Sequence, residues 1–498
     1  MEIIGWMLDI AREQSPKEEV LDEWLSRSKA AGYNAVGFYI EHRFRYESAP
    51  WAGGRGALTP ETVRRLIETH SGIRCIPFLN TLGHMEGFIR SEGGQWLAEG
   101  APEKSSQICP SRKECVDFAK SLIRDAAKCF QDEWIHLGGD ETWQLGECPL
   151  CMERAQKIGK GGIYAEHYKE LCETVLEMGK RPCLWGDMLL AHPEAMRLIP
   201  KETVIFDWQY GGPPNQTAER FRKEGFDVVC CPALHTFDSG WCFWDLSKKN
   251  IDEHRDAAQS LGALGVCVTT WEFMYFSSYF SVMPLVFAIG RHLAQGEDWE
   301  KALVEEGGEF YAEVAQILGV EIPSISKFLG SGWRNLRRNF VENADIFALW
   351  REWREEACSE VGDTILANIN KAKQRLFEND PMRFPLTLHE VAIEWVRKIE
   401  SARILYGKRD LAGFVLEFSE AAELLSSLSP YLAEIAKQGG SLGDLMRLRR
   451  MISQQVDVLE KVRMLGDFDA YAYLPAFEVL IHPGFVPGGQ AGWDCRQL

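Results

Sequence analysis

Eight short apolar runs alternate with amphipathic helical patterns over the first 300 residues of this 498-residue chain. Eight β/α units of this kind predict a closed parallel (β/α)8 barrel, the TIM barrel. The alternative is a doubly wound open sheet, which usually has fewer strands or a glycine-rich turn after the first strand. The sequence Asp9-Ile10-Ala11-Arg12 contains no such turn. The predicted strands are 3–9, 35–40, 73–79, 134–139, 183–187, 203–208, 227–231 and 265–270.

From about Val320 onward the strand patterns stop and long helical patterns replace them. We therefore predict an α/β protein with two domains, a catalytic (β/α)8 barrel at 1–320 and a mainly α-helical C-terminal domain at 321–498. The longest predicted helices of the second domain are 347–358, 363–377, 388–406, 411–425 and 445–464.

Charge and composition exclude several classes of partner. Lys and Arg number 55 against 73 Asp and Glu, a net charge of −18, so the basic footprint that binds phosphates or an anionic membrane is missing. The start of the chain shows no secretion signal, and no apolar run approaches the roughly 20 residues that span a bilayer. The 14 scattered cysteines are typical of reduced thiols. We expect a cytoplasmic protein without nucleic-acid or membrane partners, and leave open a homo-oligomeric state.

The strongest chemical motif follows the fourth predicted strand. His136-Leu137-Gly138-Gly139-Asp140-Glu141 places two glycines before two consecutive carboxylates. In a β/α barrel the active site lies at the carboxyl ends of the strands. Glycines allow a sharp turn there, so that both carboxylates reach the rim. Adjacent carboxylates suppress each other's ionisation, which predicts a glutamic acid kept protonated for general-acid work. An incidental acidic loop or a helix cap is the alternative.

The run from His136 to Glu141 resembles the signature of the family 20 glycoside hydrolases, the β-N-acetylhexosaminidases. The resemblance covers about residues 1 to 295. Most members of that family carry a small α+β domain before the barrel. We expect this domain to be absent here. Further matching segments are Trp6-Met7-Leu8-Asp9-Ile10-Ala11-Arg12, Gly83-His84, Trp185-Gly186-Asp187, Asp207-Trp208 and Trp271-Glu272.

The resemblance implies an exo-acting, retaining enzyme without a cofactor, which releases terminal β-linked GlcNAc, GalNAc or both from oligosaccharides or glycoconjugates. Glu141 would be the general acid and Asp140 would hold the 2-acetamido group of the substrate. In that family the acetamido oxygen attacks the anomeric carbon and forms an oxazolinium intermediate. A related Asp-Glu family of β-N-acetylgalactosaminidases, a non-catalytic amino-sugar-binding barrel and a metal-dependent amidohydrolase are the alternatives.

Sugar binding needs apolar planes and fork-like hydrogen-bond donors. Arg12 is predicted to bind hydroxyl groups opposite Glu272, and Glu41 follows the second strand, where the barrel rule places site residues. In the family a tyrosine after the seventh strand shares the acetamido oxygen, but no tyrosine stands there in this chain. Tyr275 is our first choice to replace it, with Tyr210 or His235 as alternatives. The remaining predicted substrate-binding residues are His84, Trp185, Trp208, Asp238 and Trp271.

Cys148-Pro149-Leu150-Cys151 follows the Asp-Glu loop and is compatible with half of a zinc site. Cys109, Cys115 or His167 could complete the ligand set in space, but no second Cys pair is evident. The sequence also lacks His-x-His and His-Glu-x-x-His motifs. We therefore predict no metal at the catalytic centre, and an inert loop at the Cys pair.

Overall fold

A computed structural model describes residues 1–237, 239–272, 275–330, 335–342, 344–467 and 474–487. Within these residues, eight parallel strands follow one another in chain order around a closed barrel, and the last strand pairs with the first. The (β/α)8 barrel with a helical C-terminal region is thereby confirmed. The strands are β1 (Ile3–Asp9), β2 (Ala35–Tyr39), β3 (Arg74–Phe78), β4 (Trp134–His136), β5 (Arg181–Trp185), β6 (Val204–Trp208), β7 (Asp227–Cys231) and β8 (Gly265–Thr270).

The barrel interior is filled by side chains rather than open, as in other β/α barrels. Gly37 on β2 illustrates the fit, because a Cβ there would lie 2.4 Å from the ring of Phe78. The Phe78 ring in turn stacks on His136, with ring centroids 4.4 Å apart. The strand side chains of this core include Ile3, Met7, Ala35, Tyr39, Ile76, Phe78, Trp134, Cys183, Trp185, Val204, Phe206, Val229, Cys231 and Cys267.

Helices follow the strands, and their starts show readable signals. The helix Pro60–Thr69 begins after Thr59, whose side chain accepts a hydrogen bond from the Thr62 amide, with a proline at the first turn. Helices from the first part of the chain are Glu18–Ala30, Pro60–Thr69, Glu86–Ile89, Lys113–Ala127, Pro149–Glu177, Asp187–Ala191, Asn215–Lys223, Trp244–Leu261, Tyr279–Gln295 and Trp299–Gln316, with 3-10 turns at Gln95–Leu97 and Pro193–Arg197.

Beyond the barrel the chain is helical, as the sequence pattern predicts. Trp350, Trp353 and Trp395 are fully buried in the helical core of this region. No helix in the described part of the chain is both long and apolar enough to span a membrane. After a π-helical turn at Ile317–Glu321, the helices are Ile322–Ile325, Lys327–Gly330, Leu336–Glu342, Phe347–Ala357, Glu360–Lys373, Arg383–Gly407, Leu411–Ser426, Ser429–Lys437, Asp444–Asp467 and Phe477–Leu480.

The chain divides into two compact units. One unit comprises Met1–Leu234, Asp245–Glu272 and Leu285–Glu306, and the other His235–Trp244, Phe273–Pro284 and Gly307–Leu498. The first unit contains all eight strands of the described chain. A domain boundary at residue 320 stays a prediction.

Candidate active site

The Asp-Glu loop leaves β4 through two glycines in left-handed backbone conformations. Gly138 has φ +77° and Gly139 has φ +99°, values that side chains other than hydrogen rarely allow. A Cβ on Gly138 would lie 2.5 Å from Asn80 Oδ1, and one on Gly139 would lie 2.8 Å from the Tyr164 hydroxyl. The glycines therefore end the strand after His136 and turn the chain toward the barrel rim.

Asp140 and Glu141 both contact one imidazole nitrogen, that of His84. His84 Nε2 is 3.4 Å from Asp140 Oδ2 and 3.4 Å from Glu141 Oε2. The two carboxylates differ in environment, because the Asp140 side chain is 10% exposed and the Glu141 side chain 49%. Asp140 Oδ1 is buried and has no hydrogen-bond partner within the part of the chain that the structure describes. A buried carboxylate oxygen without a donor is costly, and such atoms in folded proteins often mark a site for a ligand.

Electrostatics at this loop differ from the prediction. His84 hydrogen-bonds to Glu141 and lowers the pKa of that carboxyl, although partial burial opposes the shift. The prediction that the neighbouring carboxylate keeps Glu141 protonated is therefore wrong, because the hydrogen bond with His84 favours the ionised form of Glu141. Burial opposes protonation of His84, but Asp140 and Glu141 outweigh it and raise the pKa of His84 well above 6.5. His84 therefore carries a positive charge at neutral pH.

Asp187 is a carboxylic acid with a raised pKa next to the Asp-Glu loop. Its Oδ2 accepts a hydrogen bond of 3.0 Å from the Glu141 amide, and its Oδ1 is buried without a hydrogen-bond partner among the described residues. Burial and the nearby charge of Asp140 raise the pKa of Asp187 to about 7. The residue was absent from the predicted site, although its place just after β5 was a sufficient signal.

Arg12 and Glu41 form an ion pair at the ends of β1 and β2. Arg12 Nη1 lies 3.0 Å from Glu41 Oε1, which also accepts hydrogen bonds from the Tyr39 hydroxyl at 2.9 Å and Asn80 Nδ2 at 3.2 Å. Burial by itself raises the pKa of Glu41, but Arg12 and two neighbouring histidines outweigh it and lower that pKa to about 2. Glu41 is therefore an anion that positions Arg12.

Asp9 links the two strands on either side of the point where the barrel closes. Its Oδ1 accepts from the Ala11 amide at 3.0 Å, and its Oδ2 accepts from the Glu272 amide at 3.1 Å. Burial raises the pKa of Asp9 to about 6, although Arg12 and the Glu272 amide oppose that shift. Asp9 thus fixes the backbone of Glu272 and of Ala11, the residue before Arg12.

The three predicted tryptophans lie together but are not equivalent. Trp208 and Trp271 are partly exposed, whereas Trp185 is completely buried, with ring centroids 6.0 Å from Trp271. Trp271 Nε1 donates a hydrogen bond of 2.6 Å to the Tyr210 hydroxyl, and the Tyr210 ring stacks on Trp208 at 5.1 Å. Trp208, Tyr210 and Trp271 therefore form one aromatic group. A sugar contact by Trp185 stays a prediction.

Other predicted residues have separate surroundings. His136 is fully buried against Phe78, and burial lowers its pKa well below 6.5, which identifies it as a neutral core histidine. Tyr275 and His235 belong to the second unit. The Tyr275 carbonyl accepts a hydrogen bond of 2.7 Å from Arg337, and its predicted role stays a prediction. Asp238 lies outside the described residues.

The cysteine pair after the Asp-Glu loop has neighbours of its own. Glu99, Cys109, Cys148 and Cys151 bring a carboxylate oxygen and three Sγ atoms within 4.8 Å of one another. Of the other two candidate ligands, Cys115 Sγ contacts the Leu97 carbonyl and His167 Nε2 the Thr81 carbonyl.

Residues 40–275 match the family model described as the catalytic domain of glycosyl hydrolase family 20. This part of the barrel is similar to the catalytic domains of glycosyl hydrolase family 20. The matched range contains Asp140 and Glu141 with their partner His84.

Relatives of this family 20 domain are distant. Bovine hexosaminidase D is 24% identical over 227 residues, which cover 42% of this chain and 65% of that protein. Human β-hexosaminidase subunit beta is 21% identical over 249 residues, 45% of this chain and 43% of that protein. The chain thus matches less than two thirds of either relative's length.

Solved structures support the fold. The exo-β-N-acetylglucosaminidase of Vibrio harveyi, solved in complex with N-acetylglucosamine, matches with a TM-score of 0.51 and 18% identity. The match covers 64% of this chain and 58% of that protein. At this identity the likeness establishes the barrel and not the substrate.

Proposed function

We propose that the protein is an exo-acting, retaining β-N-acetylhexosaminidase that releases terminal β-linked GlcNAc, GalNAc or both. The observation that carries the proposal is the pairing of Asp140 and Glu141 around His84. Both carboxylates come from consecutive residues of one loop and contact the same nitrogen atom at 3.4 Å, a placement that is unsuited to flanking opposite faces of a glycosidic bond. A two-carboxylate retaining mechanism needs such flanking groups, about 5 Å apart across the bond. The nucleophile is then supplied by the substrate.

The first chemical step follows from the different environments of Asp140 and Glu141. The acetamido oxygen of the substrate attacks the anomeric carbon while Glu141 donates a proton to the departing glycosidic oxygen; because His84 lowers the Glu141 pKa in the free site, Glu141 takes up this proton when the substrate binds. Asp140 accepts a hydrogen bond from the acetamido N–H with its unpaired Oδ1 and stabilises the positive charge of the oxazolinium ring. In the second step Glu141, now a carboxylate, removes a proton from the water that opens the ring. The anomeric configuration is retained.

The surroundings of Arg12 at the strand ends support a terminal sugar as the substrate. Arg12 is 23% exposed and is held by Glu41, which leaves part of its guanidinium available to sugar hydroxyls. Trp271 lies next to it, with the Arg12 guanidinium carbon 6.0 Å from the indole ring. A guanidinium group beside an indole ring is suited to bind a single pyranose, because the guanidinium donates hydrogen bonds to the hydroxyls and the indole packs against one face of the sugar.

Among the three candidates for the hydroxyl that shares the acetamido oxygen, we favour Tyr210. Its ring stacks on Trp208, and its hydroxyl group is oriented by the indole N–H of Trp271. Asp140 is close enough to influence its titration. This group combines aromatic rings, which can pack against the acetamide methyl group, with a hydroxyl group that can donate a hydrogen bond to the acetamide oxygen.

The decisive experiment compares initial rates on aryl glycosides of β-GlcNAc, β-GalNAc and β-Glc. We expect hydrolysis of the acetamido sugars only. Glu141→Gln should lower turnover by about two to four orders of magnitude, the usual contribution of a general acid, and least for a leaving group that needs no proton. A thiazoline analogue of the sugar should inhibit tightly as a mimic of the intermediate.

Each rival gives a different result. Equal rates on β-Glc would remove the acetamide from the mechanism, and activity on β-GalNAc alone would favour the related galactosaminidase reaction. Binding of amino sugars without turnover would identify a non-catalytic barrel. Near-normal rates of Glu141→Gln on an alkyl glycoside would contradict the assignment of the acid.

We also propose that the enzyme works in the cytoplasm, on the basis of its acidic sequence with 14 scattered cysteines, which are typical of reduced thiols. Fractionation of the native host with antibody detection tests this. Recovery from the medium or the envelope fraction would contradict it.

A further inference from the structure

Three thiols and one carboxylate converge beside the Asp-Glu loop. Cys109 Sγ lies 3.5 Å from Cys148 Sγ and 3.7 Å from Cys151 Sγ, and Cys151 Sγ lies 3.2 Å from Glu99 Oε2. Disulfide sulfurs are about 2 Å apart, so these separations are too long for a bond. Glu99, Cys109 and Cys151 are buried, and Cys148 is partly exposed.

The separations match the edges of a metal-centred tetrahedron. Zinc binds cysteine sulfur at about 2.3 Å and carboxylate oxygen at about 2.0 Å. A tetrahedron with these bond lengths has S···S edges of about 3.8 Å and S···O edges of about 3.5 Å. We propose that Glu99, Cys109, Cys148 and Cys151 form a structural zinc site. Soft thiolate ligands in a closed tetrahedral set favour zinc over magnesium or calcium.

The charge balance around Glu99 supports a cation at this position. Glu99 is fully buried, and a buried carboxylate needs a compensating charge or several donors. Its Oε1 accepts hydrogen bonds of 3.0 Å from the Glu147 and Cys148 amides, and its Oε2 faces the Cys151 thiol. No lysine, arginine or histidine among the described residues forms an ion pair with it. A zinc ion would supply the missing positive charge.

Backbone donors prepare the sulfur atoms as ligands. Cys148 caps the start of the helix Pro149–Glu177, where its Sγ accepts a hydrogen bond of 3.4 Å from the Cys151 amide. The Ser111 amide similarly donates to Cys109 Sγ. Amide donors and a helix N-terminus stabilise thiolates, the form that binds metal. Outer partners of this kind orient the ligands of metal sites.

The site would join two loops at the catalytic end of the barrel. Glu99 and Cys109 come from the segment between β3 and β4, and Cys148 begins the helix that follows the Asp-Glu loop, seven residues after Glu141. A second link already joins these loops, because Gln144 Oε1 accepts a hydrogen bond of 2.8 Å from the Ser106 amide. A metal cross-link would fix the far end of the loop that carries Glu141.

The test is the metal content of the full-length protein, purified under reducing conditions without chelator and measured by inductively coupled plasma mass spectrometry. We expect about one zinc per chain. Protein grown with Co²⁺ in place of Zn²⁺ should show thiolate-to-cobalt charge-transfer absorption with the intensity of three thiolates and the visible bands of a tetrahedral site. Neither measurement depends on glycosidase activity or on a variant that folds.

Variants then assign the ligands. Cys148→Ser should lower zinc occupancy at least tenfold, while the matched control Cys115→Ser, a buried cysteine outside the cluster, should keep it. Less than 0.1 metal per chain, even after incubation of the reduced protein with excess Zn²⁺, would overturn the proposal. So would stoichiometric binding of another metal, or a disulfide between two of these cysteines in protein purified from the cell.

Discussion

Asp187→Asn should stabilise the protein, and the gain should grow with pH. The pKa of Asp187 in the fold is about 7 against 3.8 ordinarily, mainly because of burial. Between these values the folded chain holds a proton that the unfolded chain has lost, so stability falls as pH rises through this window. Above pH 7 the ionised group costs about 4 kcal/mol, from 1.36 kcal/mol per pKa unit. Asparagine removes this cost and keeps an oxygen for the Glu141 amide.

The assay is thermal unfolding of both proteins from pH 4.5 to 8.5. For a unit of roughly 300 residues the entropy of unfolding is about 0.6 kcal/mol/K, so about 4 kcal/mol corresponds to a Tm rise of about 7 °C at pH 8. Near pH 4.5 the two proteins should differ little. Asp9→Asn is the comparison: its pKa of about 6 gives a smaller pH-dependent gain, and this gain is offset because both Asp9 oxygens accept amides and asparagine satisfies only one. A Tm difference that does not change with pH would refute the reasoning.

Three further predictions concern activity. Gly139→Ala should lower kcat/KM at least tenfold and reduce stability by about 1–3 kcal/mol, since its Cβ would meet the Tyr164 hydroxyl and φ is positive; steady-state kinetics and urea unfolding measure both. Tyr210→Phe removes the acceptor of the Trp271 indole N–H and should lower kcat/KM on aryl β-GlcNAc by about tenfold or more. Arg12→Lys keeps the positive charge but loses the planar set of N–H donors of the guanidinium, so we expect KM to rise about tenfold with a smaller change in kcat.

The sequence predicts the barrel well because each strand is a short apolar run and the pattern repeats. The one clear shortening is at β4, which ends at His136 rather than at Gly139, because Gly138 and Gly139 adopt left-handed backbone conformations and leave the ladder. Helices such as Leu411–Ser426 lie within a residue of their predicted bounds. Periodicity thus fixes the type of each element, and special backbone conformations determine where it ends.

The candidate site is harder to predict, because its chemistry depends on residues that are far apart in sequence. Asp140 and Glu141 are evident from their motif, but the imidazole of His84, which contacts both, comes from the previous β/α unit and reverses the expected direction of the Glu141 pKa. Glu99 was not suspected at all, since nothing next to it in sequence binds metal. Its signal is spatial, a buried carboxylate facing Cys151.

Several residues at the catalytic end of the barrel have strained backbone conformations, from which a final prediction follows. Glu41, His84, Glu141 and Glu272 all have positive φ, between +38° and +53°, a conformation that costs a residue other than glycine about 1–2 kcal/mol. Strain of this kind persists where function requires the side chain. Glu141→Gly should relieve this strain, but glycine also adds conformational entropy to the unfolded chain, which offsets part of the gain. We therefore expect a Tm about 1 °C higher and a loss of turnover.

Two variants separate strain from other effects. Glu141→Ala loses the same carboxylate but keeps a Cβ, so it should abolish turnover without raising Tm. Arg409→Gly relieves the same kind of strain, at φ +63° between the helices Arg383–Gly407 and Leu411–Ser426, and should raise Tm with turnover unchanged. If Glu141→Gly and Glu141→Ala unfolded at the same temperature, no strain would be stored at the catalytic position. The left-handed turn would then only be a consequence of how the loop leaves β4.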